Sequence, residues 1–396
     1  MRRTRTDVFA GSQAPDFLDW HYSLRSKSIF RKDRHKYVHP IAILATAKAI
    51  GILVLTVWST LNGKDAHVLL SARWDSLWYV RVVEHGYDFT LTAKDGRVLS
   101  DMAFFPLFPV LEGATSKLLF ISPADAGLVV SGISSLFAAA GIYALVELFT
   151  DREVALLTVA LWATLPVSIV QSMAYSESLF TALSTWALYF TLNANWLAAG
   201  ALACCAGLTR PVGPAAALAL WAAVVADVRR EGWNSTKVIS SALAPAGFAC
   251  HILWVGIQKN GIFGYLDVQK EWGNGFDGGV SFANFIYSLA SSPPFVAGIA
   301  LSAGVGVVAW SYVLGFANKY PLPVQIYSGV VILLAFGPSG FFASKPRLLI
   351  PAFSLVIPLA LYLLRKSRRF RLSALAAMCA TSAVYGAFWL NGSGPP

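Results

Sequence analysis

The sequence predicts an all-α polytopic integral membrane protein, and three observations carry that prediction. Only 13% of the 396 residues are charged while 56% are hydrophobic, against about 25% charged in a soluble chain. The apolar residues fall into blocks of spanning length, roughly 17 to 25 residues each. The basic residues gather beside such blocks. Nine Lys/Arg lie in the first forty residues, and Arg365, Lys366, Arg368, Arg369 and Arg371 form a second cluster. The net charge of +10 therefore follows the positive-inside bias of membrane proteins, and a nucleic-acid partner is set aside.

Residues 1–40 read as a basic cytoplasmic tail. The basic stretch, and the apolar block behind it, are both too long for a cleavable signal peptide. The span at 41–61 runs outward and delivers a long polar loop, 62–124, to the outer face. Further spans are expected at 125–149, 154–172, 177–192, 195–209, 211–228, 236–257, 294–316, 323–337, 346–364 and 373–390. That makes about eleven transmembrane helices over a 41–390 membrane domain. Arg229-Arg230 and the 365–371 cluster belong inside, so the parity works only if 104–121 does not cross. That stretch carries two prolines, Glu112 and Lys117, each costly at bilayer centre. It reads as an amphipathic helix in the outer interface with its Phe residues in the lipid boundary. The C-terminus, 391–396, is then an external tail. The second external loop, 258–293, is rich in Gly and aromatic residues (Tyr265, Trp272, Phe276, Phe282) and suits stacking on a sugar or shielding the outer mouth. Cys204, Cys205, Cys250 and Cys379 sit in apolar runs without metal-ligand or disulfide spacing and read as small core residues. No inverted repeat of the secondary-transporter kind is visible.

Within the first loop, Asp75, Trp78, Tyr79 and Val82 fall at i, i+3, i+4 and i+7 of a helix and share one face, with Gly86 as its stop. Glu84, nine positions on, points the other way. A carboxylate on an aromatic face fits a general base or anchor at the membrane edge, or an ion pair with Arg73 or Arg81 that fixes the loop. Glu177 opens a span, where it serves chemistry or simply favours the helix N-terminus. His85 lies off the Asp75 face and suits loop stabilisation or a substrate contact. Arg210 precedes Pro211, so a guanidinium sits where a helix breaks; it suits a phosphate or snorkels to headgroups. Lys345 and Arg347 flank Pro346 at the outer end of a span, against the positive-inside bias, and point to an anionic ligand held there. No phosphate-cradling Gly loop, Ser/His/Asp signature or metal-binding pattern appears; a divalent cation is compatible with the site but not indicated.

Arg73-Trp74-Asp75-Ser76-Leu77-Trp78-Tyr79 with His85-Gly86-Tyr87, Phe104-Phe105-Pro106-Leu107-Phe108-Pro109 and Tyr175-Ser176-Glu177-Ser178-Leu179-Phe180 resemble, in that order, the GPI mannosyltransferase II family. Thr209-Arg210-Pro211-Val212-Gly213 and Lys345-Pro346-Arg347-Leu348-Leu349 are similar to its later blocks. The arginine block departs in ending Pro-Val-Gly, and the last block reads Leu-Leu where an aromatic often follows the arginine. The resemblance implies the GT-C fold, with its long first external loop carrying interfacial helices, and an inverting transfer of a sugar, mannose above all, from a polyprenyl-phosphate donor on the outer face. In a prokaryote that face is the plasma membrane's. It also implies Asp75 as the catalytic residue; by their own charge and placement Arg210, Lys345 and Arg347 are the candidates for the donor phosphate, with Arg73, Trp74, Trp78, Tyr79, His85, Tyr175 and Glu177 in support. A glycan, a glycolipid or a protein hydroxyl fits as acceptor. The alternatives are a GT-C transferase for another polyprenyl-linked sugar and a lipid or solute transporter. The long loop, the charge gathered on one side and the missing repeats favour the enzyme.

Overall fold

The computed structural model describes residues 34–392 and Gly394. Most of the basic tail, and Ser393, Pro395 and Pro396 of the C-terminal tail, lie outside the described residues. Nearly everything else is helical, because long apolar blocks in hydrocarbon must satisfy their backbone groups internally. The first helix, α1 (Val38–Leu61), leads into the short α2 (Ala66–Ser71) and α3 (Asp75–His85). A two-stranded antiparallel hairpin follows, β1 (Thr90–Thr92) with β2 (Val98–Ser100), Thr90 opposite Ser100. Then come α4 (Leu107–Leu119), α5 (Pro123–Phe149), α6 (Arg152–Ala163), α7 (Glu177–Leu192), α8 (Trp196–Gly207), α9 (Pro214–Glu231) and α10 (Ser235–Gln258). The C-terminal part holds α11 (Gly264–Glu271), α12 (Val280–Ser291), α13 (Val296–Ala317), α14 (Leu322–Phe336), α15 (Lys345–Leu348), α16 (Ile357–Leu364) and α17 (Arg368–Asn391).

Among the described residues, five helices are long and apolar enough to cross a membrane unaided: α1, α5, α10, α13 and α17. A bent pair, Phe342–Leu348 with Phe353–Leu364, adds a sixth. Every expected span meets helical structure, but two are broken. The span expected at 154–172 ends as a helix at Ala163 and resumes as a 3-10 turn, Ser168–Ser172. Pro166 lies between, where it lacks an N–H and pushes its predecessor out of helical geometry. The span expected at 346–364 bends by 81° around Pro351.

The most enclosed of the long helices is α5, whose Ala138–Val146 run is buried throughout. It packs on α7 and α4, while α7 packs on α8 and α8 on α10. The α8–α10 seam works by small residues, as packing in lipid demands. A Cβ on Gly207 would stand 2.7 Å from the Phe248 nitrogen, and one on Gly247 would meet the Cys204 carbonyl. Cys204 is thus part of this close approach, in keeping with a small core residue.

The 62–124 loop departs from expectation at its phenylalanines. The 13-residue α4 is about 20 Å long at 1.5 Å per residue, too short for ~30 Å of hydrocarbon. Yet its Phe residues do not lie in lipid. Phe108 is fully buried against Tyr79, Val130 and Leu179, and Phe105 packs on Val255, Tyr265 and Val268. Only Phe120, past the helix end, stands exposed. The second loop docks on the first. Trp272 sets its ring 4.9 Å from that of Trp78 and donates its indole N–H to the Ser100 carbonyl at 2.9 Å. Tyr265 and Phe282 are buried in packing, so neither is open to stack on a sugar.

Glu112 is wholly buried on α4, beside Gly127 of α5, with neither carboxylate oxygen hydrogen-bonded. Burial first, and the nearby Glu84 second, push its carboxyl up to about 9. The group therefore stays neutral at pH 7, which is how a lone carboxyl survives in such a place. In the unfolded chain it ionises near 4.5, so folding takes up a proton between these values. Its stabilising protonation is complete below about pH 4.5 and is lost as pH rises toward 9, at about 1.4 kcal/mol per pH unit. Glu112→Gln is expected to abolish that decline, raising Tm at pH 8 and leaving it nearly unchanged at pH 4.5. Equal Tm changes at both values would show that Glu112 does not titrate between the two states.

Candidate active site

Asp75 opens α3, and the residue before it is strained. Trp74 takes φ 50, a left-handed value that a bulky L-residue avoids. Such outliers persist where the surroundings over-determine them. Here the Arg73 guanidinium covers the Trp74 ring at 3.9 Å and donates to the Gly392 carbonyl at 2.9 Å and to the Leu390 carbonyl. The turn is clamped to the end of α17. Arg73 is therefore not the ion-pair partner of Asp75, and neither is Arg81, which lies 3.8 Å above the Phe89 ring.

The partner is Arg347, whose Nη2 stands 2.8 Å from Asp75 Oδ2. Its Nε lies 3.8 Å from Glu177 Oε1, and its guanidinium sits 5.1 Å over the Tyr175 ring. Arg210 completes the cluster. Its Nη1 is 2.8 Å from Glu177 Oε1 and donates to Ser176 Oγ at 3.0 Å, and that hydroxyl is 2.7 Å from the Tyr79 hydroxyl. Burial raises the Tyr79 phenol well above its ordinary value, so it stays protonated and able to donate.

Four pieces of chain far apart in sequence thus meet: the start of α3, the 175–177 segment opening α7, the Thr209–Gly213 turn between α8 and α9, and α15. Two carboxylates are met by two guanidiniums, and Arg347 retains Nε and Nη1 without a hydrogen-bond acceptor. The Tyr175 hydroxyl is likewise buried without one. Unmatched donors beside a fixed guanidinium suit an anion with several oxygens. Asp75 is the reachable carboxylate, with its side chain 22% exposed against 1% for Glu177.

The other expected site residues stand apart. Lys345 is buried, and its ammonium donates to the carbonyls of Ala335 (3.1 Å), Phe336 (3.4 Å) and Pro338 (2.8 Å). These carbonyls lie at and just past the end of α14, so Lys345, expected as a phosphate ligand, stands apart from the arginine cluster. Trp78 stacks on Phe104 at 5.6 Å and joins the two loops instead of facing the arginines. His85 is exposed, 3.8 Å from Glu84. Sequence reasoning passed over Ser176, the hydroxyl that links Tyr79 to Arg210, although it stands inside the Tyr-Ser-Glu block. Among the described residues, no group of three or more His, Cys, Asp or Glu side chains is placed to hold a metal ion.

No protein-family profile and no curated protein sequence matches the chain. Solved structures do. ArnT from Cupriavidus metallidurans bound to undecaprenyl phosphate superposes with a TM-score of 0.54 at 13% identity, over 90% of this chain and 69% of that one. ArnT in the apo state gives 0.51 at 14% identity, over 85% and 63%. The Archaeoglobus fulgidus oligosaccharyltransferase AglB, in complex with an inhibitory peptide and a dolichol-phosphate, gives 0.49 at 12% identity, over 92% and 57%, and adds nothing to the fold assignment. The fold is that of the GT-C membrane glycosyltransferases.

Proposed function

We propose that the chain is a membrane glycosyltransferase that takes its sugar from a polyprenyl-phosphate donor and transfers it with inversion, Asp75 acting as general base. The observation that carries this reading is the meeting of Asp75, the one partly open carboxylate, with Arg347 and its unmatched donors. Undecaprenyl phosphate in the ArnT structure is a lipid anion of the kind those donors suit. The acceptor hydroxyl attacks the sugar's anomeric carbon while its proton passes to Asp75. The bond from that carbon to the phosphate oxygen breaks, and the lipid leaves as a monophosphate without needing a proton. One carboxylate then suffices, unlike the carboxylate pair of a glycosidase. Arg347 holds the leaving phosphate, and Arg210 with Glu177 keeps Arg347 in place. The sequence resemblance favours mannose as the sugar and a glycan, glycolipid or protein hydroxyl as acceptor. Purified protein should move radiolabel from a polyprenyl-phosphate mannose into an acceptor and release the polyprenyl monophosphate. No release with any polyprenyl-phosphate sugar would sink the reading.

The reading places the site on the outer face, with the N-terminus inside. The positive clusters and the shortness of α4 support it. A cysteine put at Ser122, just beyond α4, should react with a membrane-impermeant thiol reagent in intact cells, and one at Ser367 only after lysis; both positions are exposed. The reverse pattern would put the site inside.

A further inference from the structure

Lys48 is the one Lys, Arg, Asp or Glu in the 24 residues of α1. A charge within a spanning helix is costly and marks a function or a partner. Its ammonium donates to Ser135 Oγ on α5 and to the Gln171 carbonyl, both at 2.8 Å. The same carbonyl is approached by Ser131 Oγ at 3.4 Å and by Ser178 Oγ at 3.5 Å. Ser178 follows Glu177 directly. The fully buried Gln171 side chain donates in turn to the Trp162 carbonyl at 3.2 Å, and the Trp162 indole N–H donates to the Ile350 carbonyl at 2.9 Å. Ile350 itself donates its N–H to the Arg347 carbonyl at 3.1 Å.

These bonds gather at the two broken spans. A helix that stops within hydrocarbon leaves carbonyls that neither water nor the next turn can satisfy. Trp162 stands at the end of α6, and Ile350 stands in the bend after α15. The first carbonyl is met by Gln171, from the 3-10 turn beyond the same break, and the second by Trp162, from the end of α6. One break leads into Tyr175-Ser176-Glu177, and the other directly follows the short helix that carries Arg347.

We infer that Lys48 and Gln171 are positioning residues for the active site, a polar brace that ties the segments carrying Glu177 and Arg347 to α1 and α5. Their contact with the site runs through Ser178, Trp162 and Ile350, so neither touches substrate. The kinetic part of this inference rests on the glycosyl-transfer reading; the geometric part does not.

The test uses the full chain with Lys48→Met, which keeps bulk and loses the donors, and Lys48→Arg, which keeps them. A displacement of about 1 Å at a reacting group can cost up to 10²-fold in rate. Lys48→Met is therefore expected to lose at least about tenfold in kcat for sugar transfer from polyprenyl-phosphate mannose. Its donor KM and Tm should change little, and Lys48→Arg should recover most of the rate. Structures of the variants supply the second arm, with the Arg210–Glu177 or Arg347–Asp75 separation in Lys48→Met lengthening beyond 4 Å. An unchanged kcat, or a loss that follows the folded fraction and is not rescued by Arg, overturns the inference. So do both ion pairs still at the 2.8 Å of the wild type. If the wild type moves no sugar from any polyprenyl donor, the functional reading fails and the structural arm alone decides the brace. If Lys48→Met does not fold, Gln171→Met replaces it in both arms, with the same outcomes expected and the same ones overturning.

Discussion

Asp75→Asn is expected to fold, to bind donor nearly as the wild type does, and to transfer sugar at least about 10²-fold more slowly, the usual scale of a lost general base. A sugar hydroxyl is a poor nucleophile near neutral pH because its proton must leave as the new bond forms. The Asp75 carboxylate can accept that proton. A carboxamide of the same size cannot, although its oxygen still accepts from Arg347 Nη2, now 2.8 Å from Oδ2. The substitution thus separates proton transfer from positioning. Asp75→Glu lengthens the side chain by one methylene on an α3 held by the strained Trp74, and retains some activity at best. The measurement is single-turnover release of labelled sugar from the polyprenyl donor, with donor binding followed separately. An Asn variant that binds donor and transfers at close to the wild-type rate would make Asp75 structural. Glu177 would be next in line, but the structure weakens that option in advance. Its side chain is only 1% exposed and its Oε1 lies within 4 Å of both arginines, so a hydroxyl has little room to reach it.

How far this site could be read from the sequence depends on distance along the chain. The helix carrying Asp75 and Tyr79 was legible because the two lie one turn apart, but spacing alone did not show that Trp78 turns to Phe104 and Trp272 instead. The spans at α1, α5, α10, α13 and α17 were legible because their lengths answer to the bilayer, whereas shorter helices such as α8 and α14 do not reach that length. The partner of Asp75 was not. Arg73 and Arg81 are near in sequence, whereas Arg347 lies far along the chain, and no local pattern chooses among them. The Lys-Pro-Arg block held a signal that went unused. Residues two apart on a helix do not face the same way, so Lys345 and Arg347 could not both serve one ligand once α15 formed. Pro166 and Pro351 likewise marked the two broken spans, but continuous hydrophobicity across them suggested unbroken helices. The buried Phe105 and Phe108 illustrate a further limit. Hydrophobicity states that a ring leaves water, while only the tertiary fold decides whether it enters lipid or protein.

Arg347→Ala is expected to lower turnover by roughly 10²-fold or more, the size of one lost electrostatic stabiliser in a site closed to water. As the bond to the anomeric carbon breaks, negative charge grows on the oxygens of the departing polyprenyl phosphate. A cation fixed beside those oxygens stabilises the transition state more than the ground state. Arg347 is fixed by its pair with Asp75, by the nearby Glu177 and by the Tyr175 ring beneath it, and it retains Nε and Nη1 for a ligand. Removing it also deprives Asp75 of its ion-pair partner, so the base loses its orientation along with the phosphate's counter-charge. Both effects fall on kcat more than on donor KM. Arg347→Lys should recover only part of the rate. An ammonium is a single point of charge, and it cannot present the planar fork that reaches Asp75, Glu177 and a phosphate together. The assay is the same single-turnover transfer, with Tm as the control for folding. Wild-type turnover in a folded Arg347→Ala protein would reduce this arginine to an anchor for lipid headgroups and remove the leaving-group half of the proposed mechanism.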